Sequence, residues 1–171
     1  MSRIDVHMLL LGNEREDWKA AAVASVPPSI CTLRFADGIA GHIGRARQRA
    51  YALGDADYVS YVDPDDWLES DTFERCLAYL DRHRRCAGVV THEMVHDEFR
   101  GRVYETRDKH GLAVFRREWL NANLHRLESP AAVDIRLTLR PEIVLLPFVG
   151  RHWRKYESAG WGLRGLTPLL P

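Results

Sequence analysis

Three carboxylates, those of Asp63, Asp65 and Asp66, follow directly on an apolar segment, residues 58–62. The apolar run predicts a buried strand, and Pro64 ends its hydrogen-bonding pattern and places the acids on a turn. Open α/β sheets bind ligands at the carboxyl ends of their strands, and carboxylates gathered there repel one another unless a cation joins them. Because Mg²⁺ and Mn²⁺ prefer oxygen ligands and often bridge to phosphates, the turn is a candidate metal site. The same residues also suit a plain turn with a helix N-cap.

The composition bounds the class of protein. The chain has 171 residues, 46% of them hydrophobic, and its 24 basic and 24 acidic residues give a formal net charge of zero. This balance carries no strong nucleic-acid signal, and no apolar stretch is long enough to be a transmembrane segment. Three cysteines without metal-ligand spacing predict a reduced, cytoplasmic protein. The length suits one domain over residues 1–171, with an apolar tail from about residue 159, and a homo-oligomer is compatible with this composition.

Strand and helix patterns alternate along the chain, which predicts an α/β fold of the Rossmann-like class. We expect a mostly parallel central sheet with helices on both faces. The predicted strands are residues 4–11, 30–36, 58–62, 87–95, 112–115 and 143–147. The predicted helices are residues 14–26, 44–53, 70–85 with Ser70 as N-cap, 117–124 and 130–139. The polar residues 97–109 between two strands predict a hairpin or a loop.

The order of motifs in residues 41–68 resembles that of a known family. The segment reads G-H-I-G-R-A-R-Q before a helix, A-L-G at the end of that helix, and then Y-V-S-Y-V-D-P-D-D-W-L. It is similar to the family-two nucleotide-sugar glycosyltransferases of the GT-A fold, whose pattern is glycine, Ala-Arg-Asn, a helix ending in Ala-x-Gly, a strand and Asp-x-Asp-Asp-Trp. The resemblance implies sugar transfer with inversion from a nucleoside diphosphate sugar, with a UDP-sugar favoured, to an acceptor hydroxyl that the sequence does not identify. It also implies a Mn²⁺ or Mg²⁺ cofactor.

The same resemblance assigns residues to the nucleotide. Asp37, at the end of the second predicted strand, matches the acid that contacts the base, and Asn13 lies in the loop that lines the base pocket. Arg45 and Arg47 belong to the glycine-led helix and are candidate donor-binding residues. Asp63 would approach the ribose or the metal.

Metal binding is the second implied role. The resemblance places Asp65 and Asp66 at the metal and the diphosphate, together with Asp63. The family's late metal-binding histidine corresponds to Tyr156 here, and the nearby His152 is the candidate replacement. The connection before the arginine-bearing helix is also shorter than in the family pattern.

The segment P-A-A-V-D-I-R-L resembles the helix that carries the family's catalytic base. Asp134 holds the place of that carboxylate, although Val133 stands where the family often has glutamate. A positioned carboxylate can take the proton of an attacking hydroxyl. Glu128, on the preceding loop, is the alternative base.

A second motif points to different chemistry. His92, Glu93 and His96 spell H-E-x-x-H, the signature of zinc metallopeptidases, with Glu118 as the nearest candidate third ligand. That mechanism needs a helix, whereas the preceding A-G-V-V-T favours a strand. A non-catalytic nucleotide-binding or interaction domain of the same fold is the other alternative, because fold alone does not determine function.

Overall fold

The computed structural model describes residues 2–128 and 133–156, except for the side chains of residues 133–135. The strands are β1 Ile4–Leu10, β2 Cys31–Asp37, β3 Tyr58–Tyr61, β4 Trp67–Leu68, β5 Gly88–Asp97, β6 Arg102–Thr106, β7 Ala113–Arg116 and β8 Ile143–Lys155. The helices are α1 Glu16–Ala24, α2 Ile43–Tyr51, α3 Thr72–Arg82, α4 Arg117–Asn123 and α5 Val133–Thr138, with a 3₁₀ helix at Leu124–Glu128. The predicted apolar tail from about residue 159 lies outside the described residues.

The strands form one mixed sheet in the order β2-β1-β3-β7-β5-β8-β4, and β6 pairs with the second half of β5. β1 pairs in parallel with β2 and β3, and β5 pairs in parallel with β8. The other pairings are antiparallel. The α/β class is therefore confirmed, and the sheet is mixed rather than purely parallel. A short turn joins β5 to β6, and parallel pairing would have required a crossover connection there.

Two apolar clusters cover the two faces of the sheet. One contains side chains of α1 and α3, including Ala22, Phe73 and Leu80, packed on the β1 residues Val6 and Met8. The other contains Tyr51 of α2 and side chains of α4, the 3₁₀ helix and α5, packed on Val59 and Tyr61 of β3. Successive strand residues point to opposite faces, so β3 contributes to both clusters.

Three departures of the element bounds from the sequence pattern have a clear physical reason or consequence. β8 reaches Lys155, well past the predicted end at residue 147, because its second half pairs with β5. The short β4 is absent from the prediction, since two residues are too few for a periodic pattern. Asp71, not Ser70, is the N-cap of α3, and no side-chain cap hydrogen bond forms there.

In the part of the chain that the structure describes, none of the helices has the length and apolar character needed to cross a membrane.

Candidate functional site

The acidic turn connects the central strand β3 to β4, the last strand in the order of the sheet. β3 is buried throughout, and the Val62 amide continues its pairing with β1 by donating to the His7 carbonyl at 3.1 Å. The Asp66 amide then donates to the Asp63 carbonyl at 3.1 Å, which closes a four-residue turn with Pro64 at its second position. The predicted turn at the carboxyl end of a buried strand is therefore present.

Arg47 connects α2 to this turn. It is fully buried, its Nη2 donates to Asp63 Oδ1 at 2.9 Å, and its guanidinium lies 3.9 Å from the centroid of the Tyr61 ring. Asp63 keeps 22% of its side-chain surface exposed. A buried guanidinium that points at a partly exposed carboxylate fixes the direction of that carboxylate.

Arg45 lies elsewhere on the same helix. It is exposed, and it precedes Arg47 by two residues. Residues two apart on a helix point in different directions. The structure therefore brings Arg47, and not Arg45, to the acidic turn.

Asp65 and Asp66 have different surroundings, although they are adjacent. Asp65 is half-buried, whereas Asp66 is buried at 1% exposure. Asp66 Oδ1 accepts the Arg154 backbone amide at 3.2 Å, and Oδ2 lies 3.7 Å from Nη1 of Arg151. Asp66 is thus directed into the protein, and Asp63 and Asp65 are the acids on the outer side of the turn.

Asn13 and Asp37 lie at the same sheet edge as the turn. Asp37 ends β2 and pairs in register with Leu10, the last residue of β1. Asn13 follows in the loop from β1 to α1, and both residues are exposed. Because β1, β2 and β3 are parallel, their carboxyl ends meet, and the predicted base-contacting residues lie at the edge that carries Asp63.

His152 is not directed at the acids. It pairs with Trp67 across β4 and β8, and the two rings stack at 4.9 Å with an interplanar angle of 8°. Its Nε2 lies 2.8 Å from Glu69 Oε1, and its Nδ1 lies 2.9 Å from His96 Nε2. Adjacent strand residues point to opposite faces, so Arg151 faces Asp66 while His152 points away from it. The geometry does not support His152 as a metal ligand shared with the turn.

A divalent cation fits the turn only as a partly protein-bound ion. Among the described residues, no group of three or more His, Cys, Asp or Glu side chains could hold a metal ion by itself. Asp63 and Asp65 offer partly exposed carboxylate oxygens, the ligand type that Mg²⁺ and Mn²⁺ prefer. Mg²⁺ is commonly bound through one or two carboxylates and completes its shell with substrate phosphates and water.

The candidate bases lie at different places. Asp134 is the second residue of α5, and its side chain is outside the described part of the structure. Glu128 ends the 3₁₀ helix and is exposed. The helical position predicted for Asp134 is present, and its direction stays a prediction.

The H-E-x-x-H motif lies on β5, so the helix required by a zinc metallopeptidase is absent from this segment. His92 Nδ1 lies 2.7 Å from Glu105 Oε1, and His96 contacts His152 as described above. Glu93 points to the other face, where it is 1% exposed and accepts from Arg151. The protease interpretation is therefore wrong in its structural requirement.

Glu93 also belongs to a buried charged cluster that sequence reasoning did not identify. His110 Nδ1 lies 2.6 Å from Glu93 Oε1, and Arg151 Nη2 lies 2.5 Å from Glu93 Oε2. Burial alone would raise the pKa of Glu93, but the charge of Arg151 and the hydrogen bond from His110 outweigh it and lower that pKa to about 2. The three residues lie far apart in sequence, and no local pattern links them.

Comparisons with known proteins agree with this geometry. A profile of the family described as Glycosyl transferase family 2 matches residues 35–132, more than half of the chain. The structure of S. aureus TarS 1-349 in complex with UDP-GlcNAc is similar in fold, with a TM-score of 0.70 and 15% sequence identity over 93% of this chain and 60% of that chain. S. aureus TarS 1-349 alone gives a TM-score of 0.66 at 14% identity, over 89% of this chain and 60% of that one.

The longer S. aureus TarS structure gives a TM-score of 0.65 at 14% identity, over 89% of this chain and 36% of that chain. The chain thus spans three-fifths or less of the length of these structures, and identities this low establish a shared fold. No protein in a search of curated sequences matches the chain.

Proposed function

The chain belongs to glycosyl transferase family 2, and from this premise we propose that it transfers a sugar from a nucleoside diphosphate donor to an acceptor hydroxyl. The observation that carries the proposal is the meeting of three groups at one sheet edge. Asp37 and Asn13 lie beside the ends of β2 and β1, and the acidic turn lies beside the end of β3. This is the edge at which α/β sheets bind nucleotides.

The proposed donor is a UDP-sugar. The TarS structure that shares this fold was solved in complex with UDP-GlcNAc, which makes that compound the first donor to test. In the proposed arrangement, Asp37 and Asn13 contact the base and Asp63 contacts the ribose or the cation. These assignments combine the family resemblance with the positions of the residues at one edge.

The proposed cofactor is Mn²⁺ or Mg²⁺ at Asp63 and Asp65. Such an ion neutralises the diphosphate and stabilises it as a leaving group. Arg47 holds Asp63 from the buried side through its 2.9 Å hydrogen bond, so the carboxylate keeps its direction without the ion. A carboxylate whose direction is already fixed loses less entropy when the ion and the donor bind.

The proposed catalytic base is Asp134. In transfer with inversion, the acceptor hydroxyl attacks the anomeric carbon, the bond to the diphosphate breaks on the opposite side, and the hydroxyl proton moves to the base. Asp134 lies in the first turn of α5, and α5 packs on the same sheet face as Arg47 and Tyr61 through Leu137. The acceptor itself is not identified by these residues.

The direct test measures by chromatography how much UDP the protein releases from UDP-GlcNAc. The reaction is run with Mn²⁺, with Mg²⁺ and with chelator. We expect metal-dependent release, which is lost in Asp65→Asn, and a candidate acceptor should increase the rate. Donor hydrolysis or transfer that is unchanged by chelator would contradict the metal role. Tight nucleotide binding without release from UDP- or GDP-sugars, with any acceptor offered, would instead support a non-catalytic nucleotide-binding domain.

A further inference from the structure

Arg151 is a buried cation at the centre of the charged cluster. It lies on β8 with 3% of its surface exposed. Its Nε and Nη2 donate to the same Glu93 oxygen, Oε2, at 3.1 and 2.5 Å, and Nη2 also donates to the His110 carbonyl at 2.8 Å. Two bonds to one carboxylate, together with a carbonyl contact, hold the plane of the guanidinium in one orientation.

The remaining nitrogen of Arg151 points toward the acidic turn. Nη1 lies 3.7 Å from Asp66 Oδ2 and donates to the Tyr61 hydroxyl at 3.5 Å. Tyr61 ends β3, and Asp66 is the last residue of the turn. One guanidinium therefore contacts both the strand that enters the turn and the residue that closes it.

The burial of Asp66 makes its contact with Arg151 energetically important. Asp66 is buried, and a buried carboxylate is costly unless a cation and hydrogen bonds compensate it. Its Oδ1 accepts the Arg154 backbone amide, which carries no net charge. Arg151 supplies a cation 3.7 Å from Asp66, and Glu93 in turn compensates Arg151 on its other side.

We propose that Arg151, anchored by Glu93, is a positioning residue for the donor site. It holds Asp66 inside the protein, and the turn that Asp66 closes then presents Asp63 and Asp65 outward. The inference rests on the proposed function, because donor and cation binding are the properties that the turn would control. It also assigns a role to the glutamate of the H-E-x-x-H motif, which anchors a cation in this fold.

The test must separate positioning from stability. Arg151→Gln alone leaves Glu93 buried beside a lost cation, which is strongly destabilising and can prevent folding. The double variant Glu93→Gln, Arg151→Gln removes both charges, including the cation that lies 3.7 Å from Asp66. Arg151→Lys is the conservative variant, which keeps the charge but cannot make the forked contact.

Arg116→Gln is the matched control for lost arginine contacts. Arg116 lies on β7 and donates to the Cys86 and Leu80 carbonyls and to the Tyr58 hydroxyl, away from the acidic turn. We expect it to lower thermal stability without changing the affinity for UDP and Mn²⁺.

The first readout is the affinity for UDP in the presence of Mn²⁺. We expect the folded double variant to bind about 10–100-fold more weakly than wild type, the usual effect of losing a residue that orients metal ligands. Adding Asp66→Asn should cause little further loss, because Arg151 acts through Asp66. Wild-type affinity in folded double and lysine variants would overturn the inference and leave the proposed function intact.

The second readout does not need the donor. Amide hydrogen exchange at Asp66 reports the hydrogen bond that closes the turn, and exchange at Arg154 reports the hydrogen bond from its amide to the Asp66 carboxylate. We expect faster exchange at both amides in the double variant and no change there in Arg116→Gln. If wild type does not bind UDP, the proposed function fails, and this exchange then decides whether Arg151 holds the turn. Unchanged exchange would overturn the positioning role.

Discussion

At the scale of single residues, the three acids of one turn have separate environments. Asp63 is held by Arg47, Asp65 is half-buried, and Asp66 is buried beside Arg151. A sequence motif cannot distinguish these environments, because it records residue type and spacing only. On this geometry we propose Asp63 and Asp65 as the cation ligands and Asp66 as a residue that holds the turn.

Asp65→Asn should weaken Mn²⁺-dependent binding of UDP by about 10-fold or more while the fold stays intact, because a metal-ligating carboxylate loses its charge. Titration calorimetry with thermal unfolding checks both parts. Asp71→Asn, at an exposed carboxylate 3.7 Å from Arg75, is the control and should bind as wild type does. An Asp65→Asn variant with wild-type affinity would show that this acid only caps the turn.

Glu93 should give the protein a distinct acid response. Its folded pKa of about 2 lies below the ordinary value of 4.5, so the stabilisation it provides is present above about pH 4.5 and is lost as the pH falls toward 2. Glu93→Gln should be about 3–5 kcal/mol less stable at neutral pH, since Arg151 loses its partner, and should lose less stability in that acid range. Urea unfolding between pH 2 and pH 7 measures this, and parallel curves for the two proteins would contradict the assignment.

At the scale of elements, most of the secondary structure follows from local patterns. The apolar runs predicted β1, β2, β3 and β7 to within a few residues, because buried strands need continuous apolar side chains. The second half of β8 was missed because it carries charged residues such as Arg151 and Arg154. Arg151 is tolerated there because Glu93 on β5 compensates its charge, and Arg154 lies 3.8 Å from Glu98, which follows β5.

Gly54, which follows α2, leaves space for the buried carboxylate of Asp5. It has a φ of 84°, and a Cβ at this position would overlap Asp5 Oδ2. That carboxylate pairs with Arg34 at 2.6 Å and with Arg117 at 2.5 Å. A side chain at residue 54 must therefore displace a buried ion-pair network.

Gly54→Ala should lower the free energy of unfolding by more than the roughly 1–2 kcal/mol that left-handed backbone alone costs. Gly12→Ala is the matched control, since Gly12 has a φ of 85° and its Cβ would meet nothing within 4 Å. Chemical denaturation compares the two variants. Equal losses in both would show that the Asp5 network adjusts without cost.

The proposed catalytic base, Asp134, lies on α5. Asp134→Asn should keep donor affinity but lower the transfer rate by roughly 10²–10⁴-fold, the usual contribution of a general base. Glu128→Gln is the paired variant, at an exposed carboxylate just before the helix. Calorimetry and a transfer assay measure the two properties separately. Full transfer by Asp134→Asn would remove it from the mechanism, and loss in Glu128→Gln alone would move the role there.

At the scale of the whole molecule, topology supplies what local sequence does not. Three parallel strands bring Asn13, Asp37 and Asp63 to one edge, which the order of motifs already indicated. The pairing of Glu93 with Arg151 spans 58 residues and depends on the adjacency of β5 and β8. A single sequence contains no local signal for such a pair. The single-domain extent, the homo-oligomer and the cytoplasmic location stay predictions.

Binding of UDP with and without Mn²⁺, measured by titration calorimetry on the full chain, tests the central claim most directly. We predict binding that requires the cation, is abolished by chelator and is weakened in Asp65→Asn but not in Asp71→Asn. GDP should serve as the comparison nucleotide, because the base preference is part of the proposal. If neither UDP nor GDP binds in a cation-dependent manner, the proposed donor site at the edge formed by β1, β2 and β3 is contradicted.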